Sequence, residues 1–383
     1  MGHRVFWQGV CIEKGNGTHR RIAFTPKLLL MNAHTLPIGH PPIIGYLHHA
    51  FPLAILSQNE RYLPWFYSHY IQVCCPANLA SGPDPERKRK FNFYRPPGYD
   101  SAPFAGLSMV RLNREVVLAQ GQVLDLMHRA ILLGRYVQVC VDEFEIPGKK
   151  AFQKKHLLHE LFIYGFDEEK QCVKTLGFQE KGDFGSLTVT YDHLQRAFDA
   201  GAKNNGYDPD GVRLFGLNDA VPFHFDIQVV LEGLEDYVFS RNTSERFRLL
   251  AKPTDEVFGL ATYACLIEVC VQLLQHPLWY DIRPLHILWE HKVCMLGRIR
   301  YLERERYLPL SDGFGDLYAQ IEMGARMLRM MMLKLRVSSD AKILKRIIQQ
   351  LETLAEKEGR LLMCLLETLR VAPFLKVKDA LTV

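Results

Sequence analysis

Residues 135–178 read RYVQVCVDEFEIPGKKAFQKKHLLHELFIYGFDEEKQCVKTLGF, and their apolar pattern predicts three consecutive strands. Residues 136–144 are mostly apolar and β-branched over the length of a buried strand. After a basic connector at 148–155, a second strand is predicted at 161–166. A short polar turn then leads to a third strand at 171–178. The stretch therefore predicts an antiparallel run of strands.

A histidine stands at the start of the second predicted strand. His159 precedes that strand, and the end of the first strand carries two acids, Asp142 and Glu143. A histidine beside a strand that carries an acid is suited to act as a general base. The alternative is a half-exposed histidine near a hairpin without a chemical role. These three side chains are candidate catalytic residues.

Composition and charge are those of an ordinary globular protein. The 383 residues are 48% hydrophobic and 23% charged, which is enough apolar material for a sizeable core. The net charge of +5 permits an acidic partner without demanding nucleic acid. The nine cysteines form no C-x-x-C pair and no secretory segment is recognised, so a cytoplasmic location is predicted. The most apolar run, 257–274, contains Glu268 and is expected to be a core helix, so no membrane partner is predicted.

The remaining pattern predicts an α+β fold followed by helices. An amphipathic helix is predicted at 112–133, and further strands at 186–190 and 212–217. Beyond about residue 225 the predicted helices are 227–239, 254–274, 285–306, 318–335 and 341–369. We therefore predict two domains, an α+β domain over 1–222 and a helical domain over 223–383.

Further side chains with chemical potential lie in the first hundred residues. His48 and His49 fall in a helix predicted at 46–56, and Cys74 and Cys75 end a predicted buried strand. No fixed spacing of carboxylates or cysteines accompanies the histidines, so no metal site is predicted. The sequence contains no glycine-rich phosphate loop and no G-x-S-x-G elbow, so nucleotide binding and serine-hydrolase chemistry have no support.

Two clusters are open to more than one interpretation. The basic residues Arg87, Lys88, Arg89 and Lys90 lie in a predicted exposed loop, as a solvated surface or a phosphate-binding segment. Aromatic residues follow this loop but form no repeated stacking pattern, so nucleic acid is not predicted as a partner. Five methionines between residues 323 and 332 share one predicted helix, and core packing is favoured over an adaptable binding face.

With these residues considered, about the first 200 positions resemble a papain-like family of bacterial specialised metabolism. The family includes the N-terminal domain of the butirosin-pathway acyltransferase, and peptidases that trim bacteriocin leaders are more distantly similar. The resemblance rests on Asp142–Pro147, Lys155–His159 and Ile163–Asp167. Leu63–Tyr67 also looks like sequences from proteins encoded beside nonribosomal peptide synthetases.

The resemblance implies nucleophilic chemistry. In such a family a cysteine at the start of the central helix takes an acyl group from a thioester, and a histidine at a strand start removes its proton. His159 matches that histidine. The cysteine position falls near Gly45 and Tyr46, and the third member, an aspartate, falls near Gly177. The chain thus departs from the family at two of these three positions.

Three interpretations of the chemistry remain. Cys74 or Cys75 supplies the thiol from another element. Alternatively, the protein has lost the chemistry and kept a binding groove. In the third, no covalent step occurs, and His48, His49 or His159 acts as general base while a carrier-bound thioester and an amine are held together.

The resemblance therefore implies a papain-like α+β domain that performs acyl or aminoacyl transfer, forming or cleaving an amide or ester. The thioester would arrive on an acyl or peptidyl carrier protein of nonribosomal peptide or polyketide assembly, and a small-molecule amine or acyl compound would be the other substrate. No cofactor of its own is expected, because phosphopantetheine arrives on the carrier. The basic run Arg87–Lys90 is expected to bind the acidic carrier. The alternative is a non-catalytic carrier-binding or scaffold protein of the same pathway.

Overall fold

The computed structural model describes residues 32–81, 90–95, 104–119, 123–203, 211–218, 220–247, 252–338 and 340–371. The chain divides into two compact units. The first unit comprises residues 1–36 and 111–214, and the second comprises residues 37–110 and 215–383.

The strands and helices follow one another along both units. The strands are β1 (Ala33–Thr35), β2 (Val73–Cys75), β3 (Asn92–Phe93), β4 (Leu107–Leu112), β5 (Arg135–Asp142), β6 (Leu158–Asp167), β7 (Cys172–Phe178), β8 (Phe184–Thr190), β9 (Val212–Leu217) and β10 (Val257–Phe258). The helices are α1 (Leu47–Leu56), α2 (Leu63–His69), α3 (Arg114–Ala119), α4 (Val123–Leu132), α5 (Tyr191–Lys203), α6 (Ile227–Val238), α7 (Thr262–Gln275), α8 (Arg283–Arg304), α9 (Phe314–Ser338) and α10 (Ala341–Val371).

The first unit is built on antiparallel strands. β5, β6, β7 and β8 pair in sequence order, and β1 pairs with the last residues of β6. The order across the sheet is β4-β9-β5-β6-β7-β8. In the β5–β6 register, His159 lies opposite Val141 and Leu158 lies opposite Asp142. The start of β6 is therefore held beside the end of β5, as the sequence predicts.

Strand β5 forms the centre of the first unit's core. Every residue from Tyr136 to Asp142 is buried, because α4 and α5 pack against this strand. On α4 the side chains of Val123, Met127 and Ile131 recur at four-residue steps and are fully buried. The burial of both faces explains why the sequence of this strand is a nearly continuous apolar run.

The helix predicted at 112–133 begins two residues later than predicted, because residues up to Leu112 belong to strand β4. Its described residues from Arg114 to Leu132 form α3 and α4, and 120–122 lie outside the described part of the chain. The side chain of Asn113 accepts a hydrogen bond from the backbone N–H of Glu115 at 2.7 Å, which starts α3 after residue 113. The strands predicted in the same half of the chain are confirmed within a few residues at their ends.

The second unit is mostly helical. α8 packs against α9, α9 against α10, and α10 against α6 and α7. A small sheet of order β10-β2-β3 joins them, and α2 packs against α6 and α8. Helix α1 buries all of its side chains except that of His48.

The two units differ from the two predicted domains, because residues 37–110 group with the C-terminal helices. The pairing of β2 with β10 and the packing of α2 on α6 explain this grouping. The same pairing explains why α7 begins at Thr262 and not at the predicted residue 254, since Val257 and Phe258 form a strand. Together the units define a mixed helix-and-sheet protein of the predicted α+β class.

A buried polar cluster lies among the helices of the second unit. Glu358 of α10 accepts hydrogen bonds from the hydroxyls of Tyr237 at 3.1 Å and Tyr263 at 2.8 Å, and also from Tyr318. The charged partner of Glu358 is Lys292 of α8, whose Nζ lies 2.8 Å from Oε2 of Glu358. All five side chains are buried, and they link α6, α7, α8, α9 and α10. Because the charges are both paired and hydrogen-bonded, the cluster can exist in an apolar interior.

The methionines of α9 divide between two faces. Met332 is buried, whereas Met323, Met327 and Met330 are each more than half exposed. The buried face of α9 is formed by other residues at three- and four-residue steps, including Ala325. The predicted core role is therefore wrong for the three exposed methionines.

No described helix is both long enough and apolar enough to cross a lipid bilayer.

Candidate functional site

His159 and Glu143 form an imidazole–carboxylate pair in the first unit. Nδ1 of His159 lies 3.1 Å from Oε1 of Glu143. Glu143 follows the last residue of β5, and His159 is the second residue of β6. The antiparallel register brings these two elements together, so the contact depends on the sheet and not on local sequence.

The contact assigns the protons of the His159 ring. A carboxylate only accepts hydrogen bonds, so Nδ1 carries the hydrogen and Nε2 of the neutral ring has the basic lone pair. The side chain of His159 is 34% exposed, whereas that of Glu143 is 8% exposed. This arrangement leaves the buried carboxylate to orient the ring and stabilise its protonated form, as general-base catalysis requires.

A buried lysine completes the surroundings of Glu143. Nζ of Lys149 lies 3.4 Å from Oε1 of Glu143 and donates a hydrogen bond to the backbone oxygen of Phe178 at 2.8 Å. Burial raises the pKa of Glu143, but the hydrogen bond from His159 and the charge of Lys149 together bring it below its ordinary value. Burial also lowers the pKa of Lys149, and Glu143 opposes that effect. Glu143 is thus held as a carboxylate, which is the form that can accept from His159.

Asp142 has a different role from Glu143. Its Oδ1 accepts hydrogen bonds from the backbone N–H of Phe144 at 3.0 Å and of Leu157 at 2.9 Å. Its Oδ2 lies 2.6 Å from Nδ1 of His156, an exposed histidine. Burial raises the pKa of Asp142, but these hydrogen bonds lower it to a net value below its ordinary one. Asp142 therefore fastens the chain between β5 and β6, and its carboxylate contacts His156 whereas that of Glu143 contacts His159. A catalytic role of Asp142 stays a prediction.

Gly177, where the resemblance places an aspartate, faces a cation. A Cβ atom added at Gly177 would lie 3.2 Å from Nζ of Lys149. The carboxylate that contacts His159 comes instead from Glu143. Lys149 was missed in the sequence because it is one of several lysines in a polar connector.

His48 and His49 are joined in the second unit by one amide. Nε2 of His49 lies 3.0 Å from Oδ1 of Asn92, and Nδ2 of Asn92 lies 3.1 Å from Nε2 of His48. The backbone N–H of Phe93 also donates to Oδ1 of Asn92 at 2.9 Å, which identifies that atom as the oxygen. Nδ1 of His49 accepts from the hydroxyl of Tyr70 at 3.3 Å.

These contacts give the two histidines different roles. His49 is fully buried, and burial followed by the neighbouring His48 holds its pKa well below the ordinary value. It is therefore a neutral core residue whose hydrogen bonds are satisfied. His48 is exposed and accepts at Nε2 from Asn92, so it is the one of the pair that solvent can reach. Sequence reasoning missed Asn92 because 43 residues separate it from His49.

The carboxylate of Glu290 binds the backbone N–H groups at the position where the resemblance places the nucleophile. Oε1 of Glu290 accepts from the backbone N–H of Ile44 at 2.6 Å and of Gly45 at 3.1 Å. Nε2 of His286, four residues earlier on α8, lies 3.1 Å from the same oxygen. A Cβ atom at Gly45 would lie 2.5 Å from Cδ1 of Ile287, so a side chain there requires rearrangement. The His286–Glu290 spacing places both on one helix face and is a signal that sequence analysis could have used.

The candidate nucleophiles Cys74 and Cys75 are buried in strand β2 of the second unit. Burial, reinforced by Glu256, raises the pKa of Cys74 well above its ordinary value. The hydrogen bond to Cys265, together with burial, raises the pKa of Cys75. Because the thiolate is the nucleophile, both positions are poorly suited to attack a thioester in this fold.

Of the basic run, Arg87, Lys88 and Arg89 lie outside the described residues. Lys90 is exposed, and its Nζ lies 5.1 Å from the ring centroid of Tyr46. Among the described residues, no group of three or more His, Cys, Asp and Glu side chains is arranged to hold a metal ion.

The predicted site residues fall into two groups. Asp142, Glu143 and His159 belong to the first unit, and the two histidines and two cysteines near the start of the chain belong to the second. No protein-family model matches the chain, and no curated protein matches its sequence. Fold and site together define an α+β protein with a half-exposed histidine oriented by a buried carboxylate.

Proposed function

We propose that the protein transfers an acyl or aminoacyl group from a carrier-bound thioester, with His159 as general base. The single observation that carries the proposal is the pair formed by Glu143 and His159. It presents an oriented imidazole with a basic Nε2 on a half-exposed side chain. The thioester donor and the papain-like identity of the fold are proposed from the resemblance, which His159 at the start of a strand supports. The cytoplasmic location is proposed from the cysteine pattern.

In the proposed reaction, Nε2 of His159 takes a proton from the nitrogen of an amine as that nitrogen attacks the thioester carbonyl. A C–N bond forms, the C–S bond breaks, and the imidazolium returns the proton to the departing thiolate. Glu143 stabilises the imidazolium between these two steps. A thioester is already activated, so holding it beside the amine supplies much of the rate. No cysteine intermediate is required, which agrees with the raised pKa of Cys74 and Cys75.

The proposal is tested with a carrier protein loaded with an acyl group and incubated with and without a primary amine. Intact-protein mass spectrometry follows the loss of the acyl group from the carrier and its appearance on the amine. We expect the His159→Ala variant to lose about 10²- to 10⁴-fold in turnover, which is the usual contribution of a general base.

His156→Ala is the matched control, because His156 is a neighbouring imidazole that contacts Asp142 and not Glu143. It should keep turnover within a few-fold of the unmodified protein. Full turnover in a folded His159→Ala variant overturns the proposal. A persistent acyl adduct abolished by Cys74→Ser or Cys75→Ser would replace it with covalent catalysis.

A second candidate is a carrier-binding or scaffold protein without catalysis. The burial of both candidate thiols favours it, because neither Cys74 nor Cys75 is then placed to act as a nucleophile. It predicts that the carrier binds while its acyl group is never consumed. The same incubation distinguishes the two functions.

A further inference from the structure

The exposed side of α9 carries an apolar strip that the proposed chemistry does not use. Met323, Met327 and Met330 are 56%, 51% and 52% exposed. Together with Arg326 and Met331 they form one open face of the helix. These five residues are called the α9 methionine face. An exposed apolar face of this kind on a helix is uncommon in a protein without a partner there.

The charges around this face are mostly positive. From Glu322 to Ser338, helix α9 contains four basic residues and one acid, and that acid, Glu322, accepts a hydrogen bond from Nε1 of Trp289. The hairpin from residue 323 to residue 351 contains seven basic residues and a single acid, Asp340. Asp340 is engaged locally, since its side chain accepts from the backbone N–H of Lys342 at 2.9 Å. A partner that approaches this hairpin therefore meets a positive surface.

The second half of α10 provides a contrast within the same unit. From residue 352 to residue 370 it carries four acids and three basic residues. Two of its exposed charges, Glu356 and Arg360, pair with each other at 3.1 Å. The excess of positive charge therefore lies toward the turn between α9 and α10.

We propose that the α9 methionine face is the docking site for an acidic amphipathic helix of a partner protein. A positive rim selects acidic side chains, and methionine side chains adapt their shape around an apolar residue. The three exposed methionines extend over seven residues, about 10 Å of helix, which matches two turns of a partner helix. The proposal rests on the proposed function in one respect, since that function makes the carrier protein the partner.

The composition of the face favours a protein over a membrane surface. Arg326 lies among the methionines, where a bilayer would have to accommodate its charge. The test must therefore distinguish binding of a protein partner from binding to an anionic membrane.

The test uses the whole protein and two double variants. Arg326→Glu with Lys334→Glu reverses charge, and Met323→Gln with Met327→Gln removes apolar surface; all four positions are exposed. The control is Lys357→Glu with Met363→Gln on α10, where the charges are mixed. The probes are an acyl-loaded carrier protein and the same acyl group on free pantetheine, which has no protein surface.

We expect both α9 variants to raise KM for the acyl-carrier by about 10-fold or more, with the control within about two-fold. The KM for acyl-pantetheine should be unchanged in all variants, because that substrate does not need the docking site. Charge reversal should also reduce the dependence of carrier binding on salt, whereas the methionine variant should retain it.

The outcomes separate this inference from the proposed function. If the α9 variants bind and process the acyl-carrier normally while His159→Ala loses turnover with both substrates, the docking site is wrong and the function stands. If neither substrate is consumed, calorimetric titration with the loaded carrier decides the docking site alone. Binding to phosphatidylserine vesicles that the α9 variants lose, without carrier binding, overturns the inference in favour of a membrane.

Discussion

Oε1 of Glu143 lies 3.1 Å from Nδ1 of His159, and this contact fixes which ring nitrogen is basic. The carboxylate is buried and cannot exchange its partner for water, whereas the imidazole is half-exposed. Lys149 adds a positive charge beside the same carboxylate oxygen, and this charge helps to keep Glu143 ionised. Buried groups thus orient the His159 ring and stabilise its charge, while the ring itself stays partly accessible to solvent.

The first prediction concerns the charge of Glu143. Glu143→Gln preserves the shape and keeps an oxygen for Nδ1 and Lys149, but it removes the negative charge that stabilises the imidazolium. Under the proposed function we expect turnover to fall about 10²-fold or more. Nitrogen chemical shifts of the His159 ring should report the weakened hydrogen bond independently of activity.

Glu145→Gln is the control for this prediction, since Glu145 lies two residues away and pairs with Arg196. It should change neither the ring shifts nor turnover. Unchanged ring shifts and unchanged turnover in Glu143→Gln would show that the charge of Glu143 does not act on the ring.

The second prediction concerns the buried pair Lys292 and Glu358. Glu358→Gln leaves the Lys292 ammonium without a counter-charge in a fully buried position. Breaking such a pair from one side costs about 3–5 kcal/mol of unfolding free energy. Urea unfolding followed by circular dichroism measures this loss.

The double variant Lys292→Met with Glu358→Gln provides the sharper measurement. Because the two side chains interact directly, the loss should be smaller than the sum of the two single losses by at least about 1 kcal/mol. The exposed neighbour Glu356→Gln should change stability by no more than about 0.5 kcal/mol. Additive losses would mean that the two charges do not depend on each other.

Local sequence predicted the strands around His159 but not the partners from distant segments. Strand patterns are visible because β5 is buried on both faces, and the proximity of Glu143 to His159 follows from one strand ending where the next begins. Glu290 contacts the backbone of Gly45 across 245 residues, and no local pattern encodes that contact. Such contacts exist only after the helices of the second unit have packed.

The methionines of α9 show a different limit of sequence reasoning. Methionine is common in cores, so a cluster of five was expected to be buried. The helix has a complete buried face without most of them, including Ala325 and Leu328. Which face of a helix is buried depends on its neighbours, here α8 and α10, and composition alone could not decide it.

The third prediction is a loss of stability of the second unit in mild acid. His49 and His291 are fully buried, and burial is the main reason that the pKa of each lies well below the ordinary value. In the unfolded chain a histidine takes up a proton below about pH 6.5, whereas these folded residues do not. The free energy of unfolding therefore falls as pH decreases from about 6.5, by up to about 1.4 kcal/mol per pH unit for each histidine.

Urea unfolding between about pH 7 and pH 5 measures this slope. His291→Gln should remove about half of it, whereas the exposed His276→Gln should leave it unchanged. A slope that is the same in all three proteins would show that the buried histidines do not cause the acid sensitivity.

The last prediction concerns the thiols of β2, on which any covalent mechanism depends. Cys74 and Cys75 are buried with raised pKa values, whereas the thiol of Cys364 is exposed. A hydrogen bond from the Cys75 thiol lowers the pKa of Cys265, a half-buried residue. Among the cysteines that the structure describes, we expect N-ethylmaleimide at neutral pH to modify Cys364 first, then Cys265, and to leave Cys74 and Cys75 unmodified until the protein unfolds. Peptide mass spectrometry after timed labelling measures this order, and Cys364→Ser should remove only the labelling of the peptide that contains residue 364. Rapid modification of Cys74 or Cys75 in the folded protein would contradict their burial and would return them to consideration as nucleophiles.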